Sequence, residues 1–370
     1  MSEPIRVLML FTVMNRGGAE SMVMNYYRHI DRSKVQFDFM VHRQERGAYD
    51  DEIEALGGKI YRMLPLRPPF FAYKKQIKQF FDEHPEYQII HGHCSESGYF
   101  VYKEAAKRGV PHIIAHAHSA KALFDLKWFF RTYFKIKMRN YITQGFTCGN
   151  EAGRWLLGDK MAKEAIYQAN AIDTRDFLYD GNVRCEKRSS LNIPRNALVI
   201  CHVGSFWKIK NQSFLVDVFK SVHDTNNNTY LLFVGEGELR KQIESKVSSL
   251  NLNENVLFMG SRNDVPDLLK MSDIYVFPSL GEGFSMAMLE AQCAGLPIIA
   301  SDTIPHEIAL TDLITFLPLS AGPVYWAERV LDTELSTETR RKYPQQIVDA
   351  GYDIQENATW LQNYYLSLVK

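Results

Sequence analysis

Two glutamates in Glu282-Gly-Phe-Ser-Met-Ala-Met-Leu-Glu290 are the residues of this sequence most suited to chemistry. The segment follows an apolar run ending Val276-Phe277-Pro278-Ser279 and leads into Ala291, Gly295, Leu296 and Pro297. It therefore starts in the loop at a strand's carboxyl end and enters a helix. The amides of Gly283, Phe284, Ser285 and Met286 then stand at a helix N-terminus, where orphan N–H groups and the helix dipole favour a phosphate. Glu282 belongs to the loop. Glu290 lies between Leu289 and Ala291 in the helix, and a carboxylate in an apolar segment must find a hydrogen-bond partner. A second candidate is Gly17-Gly18-Ala19-Glu20 after the first apolar run. Glycines there serve the turn into a helix, and they also let a backbone approach a ligand closely.

Histidines form a third group. Eight of the eleven fall in the first half, with His91-Gly-His93 and His116-Ala-His118 each closing an apolar run. Alternate residues of a strand point to one side, so each pair is coherent. Two such pairs have the makings of a zinc site. His93 and His116 equally suit a structural role, satisfied by neighbouring backbone.

Repeated strand and helix signals must position these residues. Strands are expected at Arg6–Phe11, Phe37–Val41, Lys59–Arg62, Gln88–His91, His112–His116 and Phe146–Cys148, with helices such as Glu20–Ile30, Tyr73–His84 and Gly98–Arg108 between them. The pattern restarts with strands at Leu198–Val203, Tyr230–Val234, Val256–Met259, Ile274–Phe277 and Pro297–Ala300, and helices at Asn211–Thr225 and Leu239–Leu250. Such alternation implies parallel βαβ units with right-handed crossovers. The fold class is α/β, with two doubly wound domains. The expected division is 1–175, 176–350 and a C-terminal helix in 351–370 packing on the first domain, with an irregular polar stretch from Asp173 to Asn196 as the linker. Ligands bind such sheets at the carboxyl ends of the strands, so the two binding edges are expected to face each other across a cleft.

Composition excludes several classes. Lys plus Arg equals Asp plus Glu at 43 each, so no partner follows from overall charge. The five cysteines are scattered without a C-x-x-C pair, which favours reduced thiols in a cytosolic protein over a disulfide framework. No signal peptide is visible, and no apolar run approaches the roughly 20 residues needed to cross a bilayer. No G-x-G-x-x-G follows either domain's first strand, against a dinucleotide dehydrogenase.

The glutamate pair after a Pro-Ser strand end, with Ala-x-x-x-Gly-x-Pro behind it, resembles the donor site of the family 4 retaining glycosyltransferases. Other pieces match in order: Gly17-Gly18-Ala19-Glu20, Asn170-Ala-Ile-Asp173, Gly235-Glu-Gly-Glu238 and Asp302. The resemblance spans nearly the whole chain and implies a GT-B fold of two facing Rossmann-like domains. It implies that Glu290 binds ribose hydroxyls. Glu282, Gly283, Phe284 and Ser285 would contact the sugar and diphosphate, with Gly17, Gly18 and Gly235 also at the donor. Lys210, in Gly204-Ser-Phe-Trp-Lys-Ile-Lys210-Asn211, would neutralise the leaving diphosphate, and His118 would touch the transferred sugar. A fixed cation and helix-end donors stabilise charge that grows as the sugar–phosphate bond breaks. Ser205 departs from the family's usual arginine, leaving Lys208 as the substitute point charge. No Asp-x-Asp motif is present, so neither metal nor cofactor is expected.

Residues 121–142, KALFDLKWFFRTYFKIKMRNYI, mix Lys121, Lys127, Arg131, Lys135, Lys137 and Arg139 with Phe124, Trp128, Phe129, Phe130, Tyr133 and Phe134 against one acid, Asp125. Residues 66–81, LRPPFFAYKKQIKQFF, repeat the mixture. Basic and aromatic residues together suit anionic lipid headgroups, and no nucleic-acid motif accompanies the charge. Lys127, Trp128, Arg131 and Lys135 are the expected membrane and acceptor contacts. The expected enzyme moves a hexosyl group from a UDP-sugar to a lipid-linked or glycan acceptor, peripheral on the inner face of the cytoplasmic membrane. A non-catalytic nucleotide-sugar binder and a nucleotide-sugar epimerase are the alternatives.

Overall fold

The computed structural model describes residues 3–118, 128–334 and 336–369. The chain forms two compact units, Met1–Ala171 with Ile354–Lys370, and Ile172–Asp353.

The first unit is built on a seven-stranded parallel sheet. Its strands are β1 (Ile5–Phe11), β2 (Val35–Val41), β3 (Ile60–Arg62), β4 (Ile89–Gly92), β5 (His112–Ala117), β6 (Gln144–Thr147) and β7 (Ile166–Tyr167), in the order β3-β2-β1-β4-β5-β6-β7. A parallel sheet covered on both faces needs strands that are apolar throughout. β1 meets that need: Val7, Met9 and Phe11 enter one core cluster while Leu8 and Leu10 enter another. The C-terminal helix Ile354–Leu368 buries Ile354, Ala358, Leu361 and Tyr365, a spacing that makes one helical face. That face joins the cluster containing Tyr26, Tyr27 and Phe37.

The second unit has a six-stranded sheet: β8 (Leu198–Val203), β9 (Thr229–Val234), β10 (Val256–Gly260), β11 (Ile274–Phe277), β12 (Ile298–Ser301) and β13 (Ile314–Leu317), in the order β10-β9-β8-β11-β12-β13. Strand order reverses beside β1 and β4 in the first sheet and beside β8 and β11 in the second. Those switch points are where open α/β sheets hold ligands.

Two features differ from the sequence reading. The division falls between Ala171 and Ile172, and the chain leaves the second unit at Asp353. The stretch read as irregular linker contains the helix Gly181–Ser190, whose N-cap Asp180 accepts from the amides of Asn182 and Val183. Its anchoring is polar, which is why no apolar period announced it. Arg188 is fully buried, donating to the carbonyls of Met271 (2.9 Å) and Ala197 (2.9 Å) and to the Asp273 carboxylate (2.7 Å).

Candidate active site

At the second switch point, β11 runs out through Pro278-Ser279 into the helix Met286–Cys293. Ser285 is its N-cap, and its hydroxyl accepts from Met288 N–H at 3.4 Å. The amides of Met286 and Ala287 in that first turn have no intrahelical acceptor, so they suit an anion. Lys210 arrives from the neighbouring strand β8. Its Nζ donates to Glu282 Oε1 at 2.6 Å, with both side chains largely shielded. The ammonium also lies 5.0 Å from the Phe277 ring centroid. The structure thus brings Lys210, Glu282, Gly283 and Ser285 into one corner. Lys208, by contrast, is exposed. Glu290 is half-buried in the following helix, and burial alone pushes its carboxyl up to about 7. Phe284 stacks on Tyr352, centroids 5.1 Å apart, so its ring is committed to packing.

Several residues that fix this corner escaped the sequence reading. Asn211 takes a left-handed conformation (φ 54°) and donates through Nδ2 to the Pro278 carbonyl at 3.1 Å. Leu280 N–H donates to Ile209 O at 2.8 Å, and Gln212 Nε2 to Ser205 O at 2.9 Å. The first two bonds clamp the lysine loop to the glutamate loop, and the third braces the lysine loop on itself. Asn tolerates positive φ better than most residues, which was the available signal. Gly235 also has a packing role. Its φ is +142°, and a Cβ there would fall 2.3 Å from the Gly204 carbonyl oxygen. It is glycine because the backbone of the lysine loop presses against it.

In the first unit, Gly17 caps the helix Gly18–His29. A Cβ on Gly17 would meet the Glu20 carboxyl at 2.3 Å, whereas one on Gly18 would meet nothing within 4 Å. Gly18 is exposed, so its backbone has room around it. The histidines converge at the ends of β4 and β5. His93 Nδ1 and His118 Nε2 share a hydrogen bond at 2.8 Å, and His91 Nδ1 pairs with the Tyr365 hydroxyl at 2.6 Å. Burial pushes His118 down to about 4 and His91 to about 3. Both rings are therefore neutral near pH 7, and His118, the half-buried member, is suited to exchanging hydrogen bonds rather than supplying charge.

The basic and aromatic stretch forms the helix Trp128–Met138; Lys121, Phe124, Asp125 and Lys127 lie outside the described residues. Its outer face is aromatic and aliphatic: Phe129, Phe130, Tyr133 and Ile136 are all more than half exposed. Two of the cations turn elsewhere. Arg131 approaches Glu96 at 3.7 Å, and Lys135 Nζ lies 4.1 Å from the Trp155 ring centroid. Trp128 is half-buried against Phe129. Lys137 of this helix is exposed, and further exposed charge comes from Lys74, Lys75, Lys78 and Lys107, which line a groove of about 710 Å³ together with Tyr133 and Phe134. Among the described residues no helix is long and apolar enough to cross a membrane.

Comparison with known proteins fits this geometry. The family described as Glycosyltransferase Family 4 matches residues 16–154, and the one described as Glycosyl transferases group 1 matches residues 183–315. The Bacillus subtilis protein EpsF, which carries a glycosyltransferase name, is 32% identical over 97% of this chain and 96% of its own. An Escherichia coli UDP-Gal:alpha-D-GlcNAc-diphosphoundecaprenol alpha-1,3-galactosyltransferase is 28% identical over 77% of this chain and 76% of its own. Among solved structures, Anabaena HepE in complex with UDP and glucose aligns with a TM-score of 0.80 at 17% identity, covering 98% of this chain and 100% of HepE. WaaG, a glycosyltransferase involved in lipopolysaccharide biosynthesis, aligns at 0.72 and 16% identity over 97% and 99%. The likenesses in structure establish the GT-B fold, and with a relative of matching length above 30% identity the chain belongs to the family 4 glycosyltransferases.

Proposed function

We propose that the protein is a retaining hexosyltransferase using a UDP-sugar, and that its acceptor is lipid-linked or a glycan in cell-surface polysaccharide synthesis. The observation that carries this reading is the Lys210–Glu282 pair beside the first turn of the helix Met286–Cys293, at the second sheet's switch point. A diphosphate in that corner meets one fixed ammonium and a set of helix-end amides. These donors are already oriented, so they stabilise the leaving diphosphate without reorganisation in the transition state. Glu290 is the group for the ribose hydroxyls, and the backbone at Gly18 has space for close approach. The cation is the protein's own, so the reading calls for no metal at the diphosphate. Glu282 is engaged with Lys210 and is the wrong partner for covalent attack. Same-face attack assisted by the leaving phosphate is therefore the mechanism proposed for retention, with His118 hydrogen-bonding the transferred sugar.

The nucleotide assignment draws support from HepE, which was solved with UDP. The lipid-linked acceptor draws on the Escherichia coli relative, whose name specifies a diphosphoundecaprenol substrate. The exposed Phe129, Phe130 and Ile136 beside the lysine-lined groove suit a peripheral position on an anionic, inner membrane face.

Thermal unfolding in EDTA with UDP, GDP, ADP and a panel of UDP-sugars tests the donor. A ligand at a hundredfold excess over its Kd raises apparent stability by about 2.7 kcal/mol. UDP and one UDP-sugar are expected to shift the wild type and not Glu290→Ala. A shift by GDP or ADP alone refutes the uridine assignment. Turnover of that donor only with acceptor present, giving a product of unchanged anomeric configuration, completes the test; a trapped glycosyl-enzyme on an Asp or Glu refutes the proposed attack.

A further inference from the structure

His91, His93 and His116 are buried together in the first unit, and their hydrogen bonding does not close. Among the described residues, His91 Nε2, His93 Nε2 and both ring nitrogens of His116 have no hydrogen-bond partner. A neutral imidazole always keeps one N–H and one lone pair, and His116 has neither satisfied. Each such buried group left unmet is destabilising. The sequence admits both a zinc site and a structural role for these histidines; their side-chain positions argue for the ion.

We propose that His91, His93 and His116 form a three-nitrogen site for a divalent transition-metal ion, zinc first among them. Three observations support it. The candidate ligand atoms all lie within 4.8 Å of one another. The ring centroids are 4.5 Å apart for His91–His93, 5.1 Å for His93–His116 and 5.4 Å for His91–His116. Imidazoles bound to a common tetrahedral ion at Zn–N bonds of about 2.0–2.1 Å have centroids roughly 5 Å apart; the rings here lie 19°, 22° and 40° from parallel, so they must turn about their side-chain bonds to converge on one ion. The outer partners also fit. A metal-bound histidine normally donates its other N–H to a neighbour. Here Nδ1 of His91 meets the Tyr365 hydroxyl and Nδ1 of His93 meets His118, leaving the Nε2 atom of each for the ion. Neutral imidazoles select zinc, copper, nickel or iron over magnesium or calcium.

The three histidines belong to the first unit, whereas Lys210 and Glu282 belong to the second. The consequence of the ion falls on His118. Metal on Nε2 of His93 obliges Nδ1 to carry the proton, so His93 donates to His118 Nε2 and fixes His118 as the Nδ1-protonated tautomer.

Metal content and cobalt spectroscopy test the proposal without reference to activity. Full-length protein is stripped with chelator, titrated with Co²⁺ and back-titrated with Zn²⁺, with bound metal counted by mass spectrometry. The expected result is one equivalent per chain, visible bands of low-coordinate cobalt, and their loss on adding zinc. His91→Phe and His116→Phe, which keep a ring in the space, are expected to lose the site. Tyr365→Phe is expected to weaken binding by roughly 10–100-fold, the usual effect of removing an outer partner. Wild type that binds no cobalt or zinc above background overturns the proposal, as do folded His91→Phe and His116→Phe proteins that bind zinc like wild type. If those variants fail to fold, X-ray absorption of zinc-loaded wild type decides: a three-imidazole shell supports the site, and an oxygen shell overturns it.

Discussion

Glu290 links donor affinity to pH in a way that is calculable from its surroundings. Burial raises its carboxyl from the ordinary 4.5 to about 7 in the ligand-free protein. Ribose hydroxyls donating to that carboxylate favour the charged form, so binding should return it to its ordinary range or below and release a proton. With 7 for the free state and 4.5 or lower for the bound state, affinity rises by about tenfold between pH 6 and pH 8, or ~1.4 kcal/mol. A UDP-sugar is the right ligand, because its diphosphate diester does not titrate in that window while UDP itself does. Calorimetry at several pH values, in buffers of different ionisation enthalpy, reports both the affinity and the proton released. Glu290→Gln should bind more weakly and lose the pH dependence. The sign for stability is the opposite. A carboxyl raised in the folded state contributes stability that is whole below 4.5 and is lost as pH rises through 7. The ligand-free wild type should therefore lose up to about 3 kcal/mol relative to Glu290→Gln over that range. If Glu290→Gln keeps the tenfold rise in affinity, or wild type is flat from pH 6 to 8, Glu290 does not meet the ribose as a carboxylate.

Lys210→Ala should lower kcat by roughly 10²–10³, the cost of removing one preorganised donor to developing charge; steady-state kinetics giving less than a fivefold loss would remove Lys210 from the leaving-group role. Two glycines should separate structure from binding. Gly235→Ala forces a Cβ onto the Gly204 carbonyl at φ +142° and should destabilise by about 2–4 kcal/mol, whereas Gly18→Ala, with open space around its Cβ, should leave the melting temperature within error while raising KM for the donor. Equal melting temperatures for the two variants would contradict the backbone brace. Phe129→Ser with Phe130→Ser should weaken sedimentation with anionic phospholipid vesicles by at least ~10-fold, since each buried phenyl contributes about 1.5–3 kcal/mol; unchanged binding would move the membrane contact away from the helix Trp128–Met138.

What was legible in the sequence follows the range of the interaction that fixes each feature. Strand positions such as Ile274–Phe277 were readable because a parallel strand buried on both faces carries its own apolar signature. The helix Gly181–Ser190 was not, because its anchor is Arg188 on Asp273 and distant carbonyls, information held 85 residues away. The candidate site shows the same division. The glutamates and glycines around residue 282 were visible as a local pattern, but the ion pair joining Lys210 to Glu282 spans 72 positions and depends on β8 lying beside β11. Gly235 shows what a local motif leaves open. A glycine after a strand signals that something approaches the backbone closely, and local sequence does not say whether that is a phosphate or the protein itself. The nearest atom here is the Gly204 carbonyl oxygen. The histidines mark the limit from the other side. Alternation on a strand established that His91 and His93 share a side, as do His116 and His118. Only the adjacency of β4 and β5 puts the two pairs together, and only their unmet ring nitrogens argue that packing alone does not account for them.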